Sequence, residues 1–375
     1  MQENSQEQLK GKKVALVHDF LTSWGGAELV LEALTEIFSQ APIYTLLYDK
    51  KKLGDKFKKK EIRTSFLEKF PSFCKKSKKW LIPFLPTAPE TFDLRDFDLI
   101  VSSSGAWSKG IVTRVNTVHI AYLHSPMRFV WDYNLKYLQE KKEKMNLIKR
   151  WGLSYLRLWD FEAGQRPDYL IANSQYTQRR IAKYYRRKSK VIYPGVSLEY
   201  FAKQKPQKEN YFLVVSRLSP YKKVDLVVET FNKLELPLVV IGEGEQKKYL
   251  QKIAGKTVKI IGWQNEKKVR EYYQKARAFI FPALDDFGLT MIEAMSQGTP
   301  VIALKQGGAK EIIQEGKTGE FFNAMTIEVL ADGVRRFLEK ERDYEFQTIQ
   351  AQARKFTQEK FQEEILKYIQ EIISI

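Results

Sequence analysis

Cysteine is almost missing from this chain. Cys74 is alone among 375 residues, which excludes an internal disulfide framework and suits a reducing compartment. Histidine is nearly as scarce at three, and no second His or Cys stands at metal-ligand spacing, so no metal is expected. No apolar run approaches the roughly 18 residues of a membrane-spanning helix. The polar opening "MQENSQEQLK" also lacks the pattern of a secretory signal. The expectation is a soluble, cytoplasmic protein. A G-x-G-x-x-G after the first strand is absent as well, and no acid closes the second strand, which removes the nicotinamide-dinucleotide fingerprint. Disorder is excluded by what is present, 43% hydrophobic and 13% aromatic residues.

Positive charge is abundant, with a net +18, and much of it has one address. Residues 50–79 hold thirteen Lys and Arg against Asp55, Glu61 and Glu68, a net of +10. Interleaved with them are Phe57, Phe66, Phe70, Phe73 and Trp80, followed by Leu81, Ile82, Phe84 and Leu85. Such a mixture suits an anionic membrane surface. It also suits nucleic-acid phosphates, or a solvated lysine face over an ordinary core helix. Membrane contact through residues 50–86, at the inner face of the cell membrane and without nucleic acid, is the reading carried forward.

Short β-branched runs alternate with amphipathic stretches along the chain. "VALVHD", "DLIVSSS", "VHIAYLHS", "DYLIANS" and "KVIYPG" form one series, and "YFLVVSR", "PLVVIGEG", "VKIIGW", "AFIFPA" and "PVIAL" a second. Continuous apolar strands alternating with helices predict parallel sheets covered on both faces. The series pauses at the polar stretch "SLEYFAKQKPQKEN", read as a linker. The chain is therefore expected to be α/β, with two doubly wound Rossmann-like domains at residues 1–198 and 199–356 facing each other across a cleft. A terminal amphipathic helix at 357–375, with Phe361, Ile365, Ile369 and Ile372 at helical spacing, is expected to pack back toward the first domain.

In open parallel sheets ligands bind at strand carboxyl ends, so chemistry is sought in the strand-to-helix loops. Gly25 and Gly26 open a helix after the first strand, where bare backbone can approach a phosphate or sugar, or merely relieve a tight turn. Asp19 ends that strand. Arg217 and Lys222 follow the strand "FLVV", and two cations there can clamp a diphosphate and stabilise it as a leaving group. In "LDDFGLTMIEAM", Gly288 permits close approach and the amides of Leu289 and Thr290 open a helix as an anion site. Glu293 lies one turn further in, able to accept two ribose hydroxyls, and Asp285 can accept sugar hydroxyls. Dipole compensation accounts for Asp286. His124 ends a strand ahead of Arg128, and suits a sugar contact or a packing role equally. Asp96 and Asp98 form an Asp-x-Asp but lead into a buried strand, which favours a strand-entry turn over a metal site. The acids of "GEGEQ" would repel a phosphate.

Together these loops resemble the retaining glycosyltransferases of family 4, which have the GT-B fold. The resemblance runs from about Lys12 to the last helix. It rests on Asp285 to Glu293 in the setting FGL…EAM..GTPVIA, Arg-Leu-x-Pro-x-Lys at 217–222, GGAE at 25–28 and His-Ser-Pro at 124–126. "YLHSPMRFVWDY" and "SRLSPYKKVDL" look most like mannosyltransferases of surface-polysaccharide and O-antigen assembly. The resemblance implies metal-independent transfer of a hexose, with retention, from GDP-mannose or another GDP- or UDP-sugar to a lipid-linked or glycan acceptor. Glu293 would bind the ribose, Arg217 and Lys222 the diphosphate, and Gly288, Leu289 and Thr290 a phosphate. Gly25 and Gly26 would meet the donor, and His124 the transferred sugar. His124, Arg217, Lys222 and Asp285 are the catalytic set, with Asp19 and Arg128 as acceptor-side or cleft candidates. One departure stands out, since Asp285 occupies the place where the family usually has Glu. The competing readings are a nucleotide-sugar epimerase of the same fold and a basic nucleic-acid- or membrane-binding protein.

Overall fold

The two series of apolar runs become two separate parallel sheets in the computed structural model, which describes residues 11–76, 78–132 and 146–374. In the first unit the strands are β1 (Val14–Leu21), β2 (Ile43–Tyr48), β3 (Ile62–Thr64), β4 (Leu99–Ser104), β5 (Val118–Leu123), β6 (Tyr169–Ala172) and β7 (Lys190–Val191). Their spatial order is β3-β2-β1-β4-β5-β6-β7. The second unit orders β10 (Val258–Gly262), β9 (Leu238–Ile241), β8 (Phe212–Val215), β11 (Phe279–Phe281), β12 (Val301–Leu304) and β13 (Gly319–Phe322) side by side. Buried on both faces, strands such as β4, β9 and β12 show no polar alternation.

Among the described residues, the helices of eight or more residues are α1 (Gly26–Ile37), α2 (Leu147–Ala163), α3 (Gln175–Tyr184), α4 (Val224–Leu234), α5 (Glu266–Lys275), α6 (Leu289–Ser296), α7 (Ile327–Glu339), α8 (Phe346–Ala353) and α9 (Gln358–Ile373). In each sheet the strand order reverses once, between β1 and β4 in the first and between β8 and β11 in the second. Connections on the two sides of a reversal leave in opposite directions, which opens a crevice at the carboxyl ends of those two strands. The positions that matter chemically are thus the loops after β1, β4, β8 and β11.

The first unit comprises Met1–Tyr193 with Phe361–Ile375, and the second Pro194–Lys360. Residue 198, the border read from the sequence, lies inside the second unit. Val196 pairs with Thr357 as a parallel bridge, which draws the chain from Pro194 onward into that unit. The supposed linker is also packed. Tyr200, Phe201 and Ala202 are buried, and Gln350 Nε2 donates to the Ala202 carbonyl at 2.8 Å.

The last helix belongs with the first sheet. Phe361, Ile365, Ile369 and Ile372 of α9 join Leu16, Val101 and Ile120 from the strands and Val30, Leu31 and Leu34 of α1 in one apolar core. Ile365 is fully buried, so its truncation to Ala should cost about 2–5 kcal/mol. A second core of this unit is pinned by a buried ion pair. Lys109 Nζ lies 2.6 Å from Asp160 Oδ1 with both side chains fully buried, while Trp131 Nε1 (2.7 Å) and Tyr185 Oη (2.9 Å) donate to Asp160 Oδ2. Hydrogen bonds to the remaining oxygen are what make a buried pair tolerable.

Candidate functional site

The loops after β8 and β11, which flank the reversal in the second sheet, meet at Lys222 and Asp285. Lys222, on the single turn Pro220–Lys222, places Nζ 2.5 Å from Asp285 Oδ2. Both side chains are partly accessible, so the pair is a surface-facing one held in a crevice rather than a core brace. Tyr221 and Phe281 rings lie 5.1 and 5.9 Å from the same ammonium. Arg217 is exposed two residues beyond β8, and its guanidinium makes no ion pair among the described residues.

Gly288 turns the β11 loop into α6. Its φ of +100° is left-handed, and a Cβ there would meet Met291 Cε at 2.5 Å. No side chain caps the helix start, and the amides of Leu289 and Thr290 stand at the positive end of the helix dipole, where negative charge is favoured. Glu293, one turn in, accepts from the Tyr273 hydroxyl at 3.0 Å. The residue is partly exposed, yet its carboxyl group is desolvated. That burial pushes it up to about 7, the Tyr273 hydrogen bond opposing and Glu266 adding repulsion. Burial, with Glu293 nearby, also raises the Tyr200 and Tyr273 phenols. Asp286, read as a helix-dipole acid, is buried.

Sequence reasoning missed the brace under this loop. Gly307, at φ +63°, lies where a Cβ would come within 2.2 Å of the Asp285 carbonyl oxygen. The Gly308 amide donates to that same carbonyl at 3.1 Å. The pair Gly307-Gly308 after β12 is the same kind of signal as Gly25-Gly26, a double glycine following a strand, and was legible in principle.

In the first unit Gly25 and Gly26 follow β1, at its reversal with β4, and His124 and Arg128 follow β5, the next strand over. Gly25 is extended, and a Cβ on it would meet Glu28 Oε2 at 3.2 Å; α1 opens at Gly26 without a capping side chain. From there a line of polar groups crosses three strands. Glu28 Oε1 lies 3.7 Å from His18 Nε2, His18 Nδ1 lies 3.1 Å from Ser103 Oγ, and Ser103 Oγ lies 2.8 Å from His124 Nε2. His18 and Ser103 are register partners on β1 and β4, a relation invisible in sequence. Asn173 Nδ2 also holds the His124 carbonyl at 3.0 Å. Arg128 is partly buried on the single turn Arg128–Trp131.

Asp19 is a correction. Its carboxylate accepts from four backbone amides, Gly105 at 2.9 Å, Ala106 at 2.7 Å, Trp107 at 3.0 Å and Ser108 at 2.6 Å. Both oxygens are spent on tying the loop after β4 to the end of β1, so Asp19 positions that loop rather than meeting an acceptor. Asp98 accepts from the Lys13 amide at 2.8 Å, in keeping with strand entry. Glu243 of the GEGEQ loop accepts from Lys247 Nζ at 2.6 Å and from the Trp263 amide at 3.2 Å.

Comparison with known proteins bears on the whole chain. Residues 24–200 match the family described as Glycosyltransferase Family 4, and residues 197–356 match Glycosyl transferases group 1. An uncharacterised glycosyltransferase of Methanocaldococcus jannaschii is 22% identical over 79% of each chain. A GDP-mannose-dependent alpha-(1-6)-phosphatidylinositol monomannoside mannosyltransferase of Mycobacterium tuberculosis is 26% identical over 47% of this chain and 54% of its own. Among solved structures, sucrose-phosphate synthase from Thermosynechococcus elongatus superposes with a TM-score of 0.75 at 17% identity, covering 97% of this chain and 99% of that one. Anabaena HepE in complex with UDP and glucose gives 0.70 at 18%, over 96% and 99%. The two family matches adjoin and the two-sheet architecture recurs over nearly the full length: the chain is a glycosyltransferase of the GT-B type.

Proposed function

We propose that this GT-B glycosyltransferase is a retaining, metal-independent hexosyltransferase that moves mannose from GDP-mannose to a lipid-linked or polysaccharide acceptor. The observation that carries the reading is the Lys222–Asp285 pair beside the open start of α6, at the reversal of the second sheet. A cation, a carboxylate and a helix N-terminus in one crevice match the three parts of a nucleotide-diphospho-sugar. Lys222 and Arg217 take the diphosphate, with the Leu289 and Thr290 amides on a phosphate. Asp285 takes sugar hydroxyls, and Glu293 takes the ribose. In the first unit, Gly25, Gly26 and His124 keep the donor-side and sugar-side roles given by the resemblance, and Arg128 stays an acceptor-side candidate.

In the reaction, the bond between the anomeric carbon and the diphosphate oxygen breaks. The acceptor hydroxyl oxygen bonds to the same face of that carbon, and its proton passes to the departing diphosphate. Charge develops on the leaving oxygens, and fixed cations and amides that stabilise it there lower the barrier most. No metal is assigned a part. The M. tuberculosis relative's stated use of GDP-mannose supports the donor, whereas HepE holds UDP and glucose, so base and sugar are tested together. The basic segment 50–86 is assigned to an anionic membrane surface at the inner face of the cell membrane. Among the described residues no helix is long and apolar enough to cross a membrane.

A panel of GDP-mannose, UDP-glucose and UDP-N-acetylglucosamine, followed by NMR of the products, tests the proposal. Free GDP and a transferred or hydrolysed α-mannosyl product are expected. An isomerised nucleotide sugar with no freed nucleotide would instead establish the epimerase, and turnover of UDP-sugars alone would move the donor.

A further inference from the structure

The helix α2 is apolar on two sides. Its inner side, with Leu156, Trp159 and Ala163, is buried against Leu67, Leu81 and Leu85 in a core of the first unit. Its outer side carries Leu147 (83% exposed), Ile148 (82%), Trp151 (79%), Tyr155 (50%) and Leu158 (63%). At 3.6 residues per turn these five positions fall within one arc of about 100°. Scattered exposed apolar residues need no explanation, but a contiguous stripe marks an interaction surface.

We propose that this outer stripe inserts shallowly into the interface of an anionic lipid bilayer. The inference rests on the reading that the chain works at a membrane, and adds an apolar contact well outside the basic segment. Three observations select lipid over a protein partner. The first thirteen residues of α2 contain Lys149, Arg150 and Arg157 and no acid, a one-signed balance that anionic headgroups attract. Trp151 and Tyr155 lie within the stripe, the residue types that settle at the headgroup level. The same unit carries the +10 segment at residues 50–79, each cation of which is attracted to an anionic surface within a Debye length. The longer stretch 50–86 that holds it supplies Leu67, Leu81 and Leu85 to the core beneath α2, and it exposes apolar side chains of its own, Phe73 (64%), Trp80 (67%) and Phe84 (43%). With three cations in 17 residues, α2 is suited to lie in the interface and not to span it.

Vesicle flotation of the full chain tests this. The vesicles are phosphatidylcholine alone and phosphatidylcholine with phosphatidylglycerol. The proteins are wild type, Trp151→Gln/Leu158→Gln, and Lys50→Gln/Lys51→Gln/Lys52→Gln. All of these positions are exposed, and matching thermal melts establish that the variants fold. Wild type is expected on the anionic vesicles, and the α2 variant is expected to bind about tenfold or more weakly, in both low and high salt. The lysine variant should lose affinity only at low salt. In brominated anionic vesicles, the fluorescence lost by quenching in wild type should shrink in Trp151→Phe. Wild type that binds anionic vesicles with no loss in the α2 variant overturns this inference and leaves the basic-segment reading standing. Binding to neither vesicle overturns both. A lipid-free dimer in sedimentation velocity that dissociates in the α2 variant overturns it in favour of a second copy of the chain. None of these readouts depends on sugar transfer, so failure of the donor screen leaves them intact.

Discussion

Lys222 Nζ and Asp285 Oδ2 lie 2.5 Å apart although 63 residues separate them. The two loops that bring them together flank the strand reversal of the second sheet, where each would face a different part of the same donor. Lys222→Met should lower kcat/KM by about 10²–10³-fold, the usual cost of removing one preorganised group that stabilises a leaving oxygen. Steady-state donor hydrolysis and transfer check this, with circular dichroism for the fold. Unchanged kinetics would remove Lys222 from the site.

Asp285→Glu restores the residue usual in the family and lengthens the side chain by one methylene. If Asp285 reads sugar hydroxyls, the substitution should redistribute kcat/KM among donor sugars by about tenfold, while Asp285→Asn should depress all of them. Identical donor rankings in Asp285→Glu and wild type would contradict that role.

Glu293 titrates at about 7 because burial disfavours its charge. The ionised form is the better acceptor of ribose hydroxyls, so donor Kd should tighten as pH rises through about 7. Stability runs the other way. A carboxyl whose folded pKa is raised favours folding while protonated, and loses that advantage as pH climbs from its ordinary value through about 7. Glu293→Gln should therefore melt higher than wild type above pH 7, with the gap closing as pH falls toward the ordinary carboxyl value of 4.5, and should show weakened, pH-independent donor binding. Calorimetry and titration across pH check both arms.

Ser103 joins His18 to His124 at the carboxyl ends of adjacent strands. Ser103→Ala removes the hydroxyl that orients the His124 ring. It is expected to lower kcat by about tenfold with KM little changed, and to alter the ¹⁵N chemical shifts that report the His124 tautomer. Ser103→Thr should recover part of the rate, since its hydroxyl is retained. A change in melting temperature alone would make Ser103 structural.

Lys109→Met strands the fully buried Asp160 carboxylate. Breaking one side of such a pair costs about 3–5 kcal/mol, so a large drop in Tm is expected. The double variant Lys109→Met/Asp160→Leu, which leaves no lone charge, should recover part of it. Denaturant titration of the three proteins measures the coupling.

Much of this protein could be read along the chain. Uninterrupted apolar runs specify strands covered on both faces, and their alternation with helices specifies parallel sheets, which need crossovers. The composition of each strand-to-helix loop likewise marked Arg217, Lys222, Asp285, Gly288 and Glu293, because ligand chemistry collects at strand carboxyl ends. Tertiary structure alone decided which loops become neighbours. Strand order puts β8 beside β11 and β1 beside β4, and from it follow the Lys222–Asp285 pair, the Gly307 brace and the line from Glu28 to His124. The four amides on Asp19 come from a loop more than 80 residues away, and turn an apparent acceptor-site acid into a positioning one. The outer stripe of α2 was out of reach for the same reason. Its apolar residues lie on both sides of one helix, and only packing shows which side is already covered. Local pattern fixes the elements and the chemistry they can present, while register and burial decide which of those groups meet.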